Sequence, residues 1–79
     1  MATTSEIVTT IQPGQSMNVP GGARVQVKNL GDAEGKFTVE AAGHQAVSRN
    51  IPPHATQQFE TQEASVIRDA GRTSLQLIW

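Results

Sequence analysis

Turn chemistry interrupts this chain so often that an ordinary helix has almost nowhere to form. Pro13-Gly14, Pro20-Gly21-Gly22, Asn29-Leu30-Gly31-Asp32, Ala42-Gly43-His44-Gln45, Pro52-Pro53 and Ala70-Gly71-Arg72 punctuate it from end to end. Proline fixes φ, glycine tolerates a positive φ, and asparagine or aspartate bonds its own backbone, so each cluster reverses or breaks an extended segment. The stretches between them alternate with a period of two. Ala23, Val25 and Val27 fall on one face and Arg24, Gln26 and Lys28 on the other, and Phe37, Val39 and Ala41 repeat the pattern. That alternation marks half-buried strands. Strands are predicted over 5–11, 16–19, 23–28, 36–41, 46–51, 55–60, 64–68 and 73–79. No segment sustains helical periodicity, and the helix alternative keeps a place mainly at 60–70.

Many short strands separated by turns predict an all-β fold. The expectation is a small antiparallel β-sandwich of seven or eight short strands, immunoglobulin-like or jelly-roll-like. Its core is assigned to Ile7, Ile11, Val25, Val27, Phe37, Val39, Val47, Ile51, Phe59, Leu75 and Leu77.

With 79 residues there is room for one domain, placed at 5–79 behind a flexible start at 1–4. A chain this short buries only about 60% of the surface its unfolded form exposes. Small domains usually add a disulfide, a metal or a partner. Cysteine is absent, which removes disulfides and thiolate ligands, and the two histidines, His44 and His54, cannot complete a structural zinc site. Self-association is the favoured remedy.

Six basic residues, Arg24, Lys28, Lys36, Arg49, Arg68 and Arg72, are scattered among seven acidic ones. Nucleic-acid binders cluster their cations, so none is expected as a partner. Charged residues make up 16% of the chain, below the usual ~25%. Eight Gln and eight Thr take up the polar surface instead. Such a neutral surface suits close-packed assemblies. The first residues, Met-Ala-Thr-Thr-Ser-Glu, have neither a basic nor an apolar region of a signal peptide, and no apolar run is long enough to span a membrane. The expectation is a soluble protein made without a cleavable secretion signal, cytoplasmic or virion-associated, with no membrane partner.

A shift of forty positions superposes the chain on itself without a gap. It pairs Ile7 with Val47, Ile11 with Ile51, Pro13 with Pro53, Ser16 with Thr56 and Val19 with Phe59. It also pairs Val27 with Ile67, Lys28-Asn29 with Arg68-Asp69, Gly31 with Gly71, Phe37 with Leu77 and Val39 with Trp79. Two pseudo-repeats, 1–40 and 41–79, would account for this. Chance agreement between two sets of alternating strands would account for it as well. In either case each half supplies about four short strands and cannot bury its apolar face alone.

The run Val25-Gln26-Val27-Lys28-Asn29-Leu30-Gly31-Asp32-Ala33-Glu34-Gly35, then Phe37-Thr38-Val39, then Ile51-Pro52-Pro53-His54-Ala55-Thr56-Gln57-Gln58-Phe59, resembles bacterial immunoglobulin-like domains of the cell-adhesion-related type. In that group a strand ends in Asn-x-Gly, and a later hydrophobic-x-Pro-Gly-x-Ser/Thr turn leads into another strand. His54 stands where glycine is usual, whereas Pro13-Gly14-Gln15-Ser16 follows the pattern more closely. The resemblance implies a sandwich fold and an adhesion or spacer role.

Candidate chemistry is sparse. His44, Ser48 and Asp69 can be written as a hydrolytic set, but no nucleophile elbow accompanies them, and both histidines sit in turns. Glu34, Glu40, Glu60 and Glu63 would need a deep cleft to act as paired carboxylates. Asp32, Glu34 and Asp69 lack the ligand spacing of an EF-hand. Pro20-Gly21-Gly22-Ala23 precedes a strand and not the helix a phosphate cradle needs. No catalytic residue, metal or cofactor is assigned.

The expected role is therefore non-catalytic: a structural or interaction module inside a larger assembly, most concretely a phage virion decoration or accessory protein. A small carbohydrate-binding module and a small inhibitor of a host defence complex are the alternatives, and an enzyme comes last. The predicted partner is a second copy, in a two-fold or three-fold homo-oligomer, together with a larger protein assembly. Residues 75–79 place Leu77 and Trp79 on one face and Ile78 on the other, so the C-terminal strand is expected to need two partners. Ile78, Trp79, Met17 and Leu30 are the candidate interface residues.

Overall fold

A computed structural model describes residues 7–79, and residues 1–4, read above as a flexible start, fall outside it together with Ser5 and Glu6. Eight strands follow one another: β1 Val8–Ile11, β2 Ser16–Val19, β3 Arg24–Asn29, β4 Gly35–Ala41, β5 Val47–Ile51, β6 Thr56–Glu60, β7 Ser65–Asp69 and β8 Leu75–Ile78. Every predicted strand is present, and residues 65–69, inside the stretch left most open to helix, are extended.

The strands form two four-stranded antiparallel sheets, β1-β8-β3-β6 and β2-β7-β4-β5. The first, second, third and fourth strands thus pair with the eighth, seventh, sixth and fifth. Val8 opposite Ile78 and Val39 opposite Val47 both centre on residue 43. Ser16 opposite Arg68 and Arg24 opposite Glu60 both centre on residue 42. The whole chain is therefore one long hairpin with its apex at Ala42-Gly43, where Gly43 takes the positive φ of 77° that the reversal demands. Rolling this ribbon up brings β3 against β8 and β4 against β7, and that closure makes the jelly-roll arrangement of a β-sandwich.

The forty-residue shift carries β1, β8, β3 and β6 onto β5, β4, β7 and β2, so the order of one sheet becomes the order of the other. Turns correspond too. Gly14 has φ 87°, and His54, forty positions on, has φ 60°. The Asn29 N–H donates to the Ala55 carbonyl at 3.0 Å, and the Asp69 N–H to the Gln15 carbonyl at 3.0 Å. The closures differ by two residues: Asn29 lies opposite Leu75, whereas Asp69 lies opposite Phe37 and not Gly35. A two-residue slip keeps every side chain on its own face.

Ile11, Val19, Val25, Val27, Phe37, Ile51, Ile67, Leu75 and Leu77 are buried between the sheets. Phe59 packs on Phe37 with ring centroids 6.1 Å apart, and Val39 and Trp79 lean on the same cluster half-buried. Two expected core residues are not in the core. Ile7 is 50% exposed and Val47 53%. They stand at equivalent places in or beside the edge strands β1 and β5, where alternation turns a side chain inward but the sandwich mouth leaves it uncovered. Val19 and Ile67 take core places not assigned to them from alternation.

Val27 lies between two partner strands with no exposed surface. Val27→Asp places an unpaired carboxylate there, at a cost of several kcal/mol against total stabilities of about 5–15 kcal/mol. The expected outcome is loss of the cooperative thermal transition, read by circular dichroism.

Candidate interaction surface

Residues that alternate away from the core on the first sheet build its outer face in cross-strand rows. One row runs Val8–Ile78–Gln26–Gln58 and the next Thr10–Gln76–Lys28–Thr56. A third pair, Arg24 and Glu60, closes on itself at 3.1 Å. The first row crosses all four strands without a charge, and Lys28 is the one charge in these rows outside the Arg24–Glu60 pair. The outer face of the second sheet also carries three charges, with Arg68 between Thr38 and Ser16, Glu40 beside Val66, and Lys36 beside Asn50.

The four candidate interface residues do not share one surface. Ile78 is half-buried on the outer face of the first sheet, flanked by Val8, which is 55% exposed, and by Gln26. Trp79 and Met17 pack against the core instead. Leu30 is exposed, 39%, in the turn after β3. The C-terminal strand, expected to need a partner on each face, is an interior strand with β1 on one side and β3 on the other. Ile7 and Trp79 extend the β1 ladder, each N–H donating to the other's carbonyl at 2.7 and 3.0 Å. The edges belong to β1, β6, β2 and β5. Val8 was missed because its apolar side chain lies out of phase with Ile7 and Ile11. Its own pairing with Ile78 is the signal, and that pairing spans nearly the whole chain.

The chemically suggestive residues are dispersed. Ser48 alternates to the outer face of the second sheet, while Asp69 turns into the interior opposite Phe37. His44 lies 3.6 Å from Glu63, and His54 Nε2 lies 2.7 Å from Asp32 Oδ1, both on exposed turns. Glu34, Glu40, Glu60 and Glu63 are all exposed. No group of three or more His, Asp or Glu positioned for a metal occurs among the described residues. A hollow of about 230 Å³ at the mouth between β5 and β6, lined by Val39, Val47, Arg49 and Phe59, is smaller than the ~300–1,000 Å³ of ordinary ligand pockets.

Asn29 and Asp69 show what the buried polar groups do. Both end a strand and cap an Asx-x-Gly turn from inside the sandwich. Asn29 Nδ2 donates to the carbonyls of Ala33 and Ile51 at 2.8 and 3.1 Å. Its Oδ1 accepts from the Gly31 N–H at 2.9 Å and the Thr73 hydroxyl at 2.8 Å. Asp69 Oδ1 accepts from the Gly71 N–H at 3.1 Å, while its buried Oδ2 has no hydrogen-bond partner. Glycine is required after Asp69, because a Cβ at Gly71 would meet the Lys36 nitrogen at 2.6 Å. Burial pushes the Asp69 carboxyl above its ordinary 3.8, opposed by the Gly71 bond.

The molecule is thus a small jelly-roll sandwich whose most distinctive surface is a sheet face crossed by one uncharged row. Comparison with protein-family models, with curated proteins and with solved structures returns no match.

A carboxyl raised in the folded state holds its proton more tightly there than in the unfolded chain. Its stabilisation is complete below about pH 3.8 and is lost as pH climbs through the folded value. Asp69→Asn removes that loss. At pH 7 it is expected to be more stable by on the order of 1 kcal/mol, the scale of one unsatisfied buried group. Urea midpoints at pH 3.5 and pH 7 check this: the gap between variant and parent widens at the higher pH.

Proposed function

We propose that the protein is a non-catalytic interaction module that works within a larger assembly and associates first with a second copy of itself through the outer face of the β1-β8-β3-β6 sheet. The observation that carries this reading is the uncharged row Val8–Ile78–Gln26–Gln58, apolar at one end and crossing all four strands. Two copies related by a two-fold axis can bring these rows together without like-charge repulsion, and glutamine and threonine side chains hydrogen-bond equally well to their own kind. Burying one aliphatic side chain contributes about 1.5–3 kcal/mol, and a two-fold interface counts each twice. The lone Lys28 and the self-paired Arg24–Glu60 leave little charge to steer association, as suits slow, close packing more than fast encounter.

A phage virion decoration or accessory protein is the most concrete form of this role. Jelly rolls serve both capsid and lectin functions, so the fold alone does not choose between them. A sugar platform wants an exposed aromatic ring. Phe37 is buried, Phe59 stacks on it, and Trp79 packs on the core, which favours the assembly reading.

Light scattering across protein concentration tests the reading. The parent chain is expected to dimerise or trimerise, and Val8→Lys or Ile78→Lys to weaken that association at least tenfold while leaving the β-sheet spectrum intact. Leu77→Lys, one residue away but facing the core, is expected to abolish folding. A parent that stays monomeric up to its solubility limit refutes self-association through this face.

A further inference from the structure

All six hydrogen-bonded strand pairs join a strand of residues 7–41 to a strand of residues 47–79. Within the first half, β1, β2, β3 and β4 never pair with one another, and neither do β5, β6, β7 and β8 in the second. Only the exposed segment Ala42–Ala46 connects the two sets. The bonds that build both sheets are therefore all bonds between halves, and they do not require that the halves belong to one chain.

From this pattern we propose that the chain exchanges halves with a second copy, giving a dimer in which each sandwich holds residues 7–41 of one chain and 47–79 of the other. The proposal rests on the pairing and not on the sheet face described above. Closed monomer and exchanged dimer contain the same six ladders and the same core, so they differ only in the hinge conformation and the entropy of association. Gly43, with its positive φ, and the Ala41 carbonyl accepting from the His44 N–H at 3.0 Å hold the hinge in its closed turn. Nearly all pairings also join residues far apart in sequence. Such topologies form slowly and leave unpaired halves exposed to one another during folding.

Hinge length decides the outcome. β4 runs to Ala41 and pairs with β7 to its end, while Val47 lies opposite Val39. The gap from Ala41 back to Val47 is thus two residues along the strand and one strand across, about 8 Å. Deleting Ala42-Gly43-His44-Gln45 leaves Ala46 alone, and two Cα–Cα steps span at most ~7.6 Å. The closed hairpin cannot form without unpairing the end of β4, whereas an extended connection to a second sandwich can.

The chain has no cysteine, so an introduced pair reports directly on exchange. Ile7 and Trp79 exchange both backbone bonds, which makes Thr10 and Gln76 a non-hydrogen-bonded pair with Cα atoms about 4.5 Å apart, within disulfide reach. Thr10→Cys with Gln76→Cys therefore closes within one chain in the monomer and between chains in the exchanged dimer, with Thr10→Cys alone as background. The hinge deletion is expected to double the mass by light scattering, keep the β-sheet spectrum, and yield covalent dimers on a non-reducing gel. Adding Val8→Lys should leave that dimer intact, which separates it from association through the sheet face. A folded monomeric deletion variant, or a folded dimer whose cysteines close within each chain, overturns the proposal. Should the deletion variant not fold, the intact hinge decides: covalent dimers that increase with refolding concentration support exchange, and intrachain disulfides alone up to the solubility limit overturn it.

Discussion

Everything in this molecule depends on the pairing of its two halves, which in the closed chain is aligned by the reversal at Ala42-Gly43. The four long-hairpin pairings centre on residues 42 and 43, so this one turn aligns β1 with β8 as surely as it aligns β4 with β5. Register, once set at the apex, propagates outward through the ribbon, and the side-chain period of two then sends one set of residues into the core along its whole length. The cost lies in loop closure. β1 and β8 meet only when nearly the entire chain has been ordered, and every strand pairing joins one half to the other.

That constraint explains how so small a chain buries a core without a disulfide. Rolling the ribbon gives the interior strands β8, β3, β7 and β4 partners on both sides, and these carry most of the fully buried side chains: Val25, Val27, Phe37, Ile67, Leu75 and Leu77. Asn29 secures the close of the roll by bonding four groups at once, including Thr73 beyond β7 and the carbonyl of Ile51 at the end of β5. Its counterpart Asp69 makes one such bond and carries a buried oxygen without a partner. The two ends of the sandwich are alike in backbone and unequal in polar satisfaction.

Surface and core follow from the same alternation. Half of the residues that face away from the core on the first sheet are glutamine or threonine, and their cross-strand neighbours come from the other half of the chain. The reading of the protein as an assembly module rests on that face. Its apolar corner exists only because the hairpin carries Val8 to Ile78 and the roll then places Gln26 on the far side of Ile78.

Alternation and turn chemistry determined the fold class, all eight strands and most of the core, because a period of two and a Gly or Pro signal are local properties that survive without knowledge of neighbours. The forty-residue echo likewise anticipated which strands occupy equivalent places, although sequence alone could not say whether the halves would pair internally or with each other. Tertiary structure decided the rest. Ile7 and Val47 read as core yet lie exposed, because burial depends on what stands across the sandwich and not on phase alone. That the C-terminal strand sits inside a sheet was not legible either, because edge or interior is a matter of strand order. Val8 acquired its meaning from Ile78 across the hairpin, a contact that arises only when a chain of many turns closes on one of them.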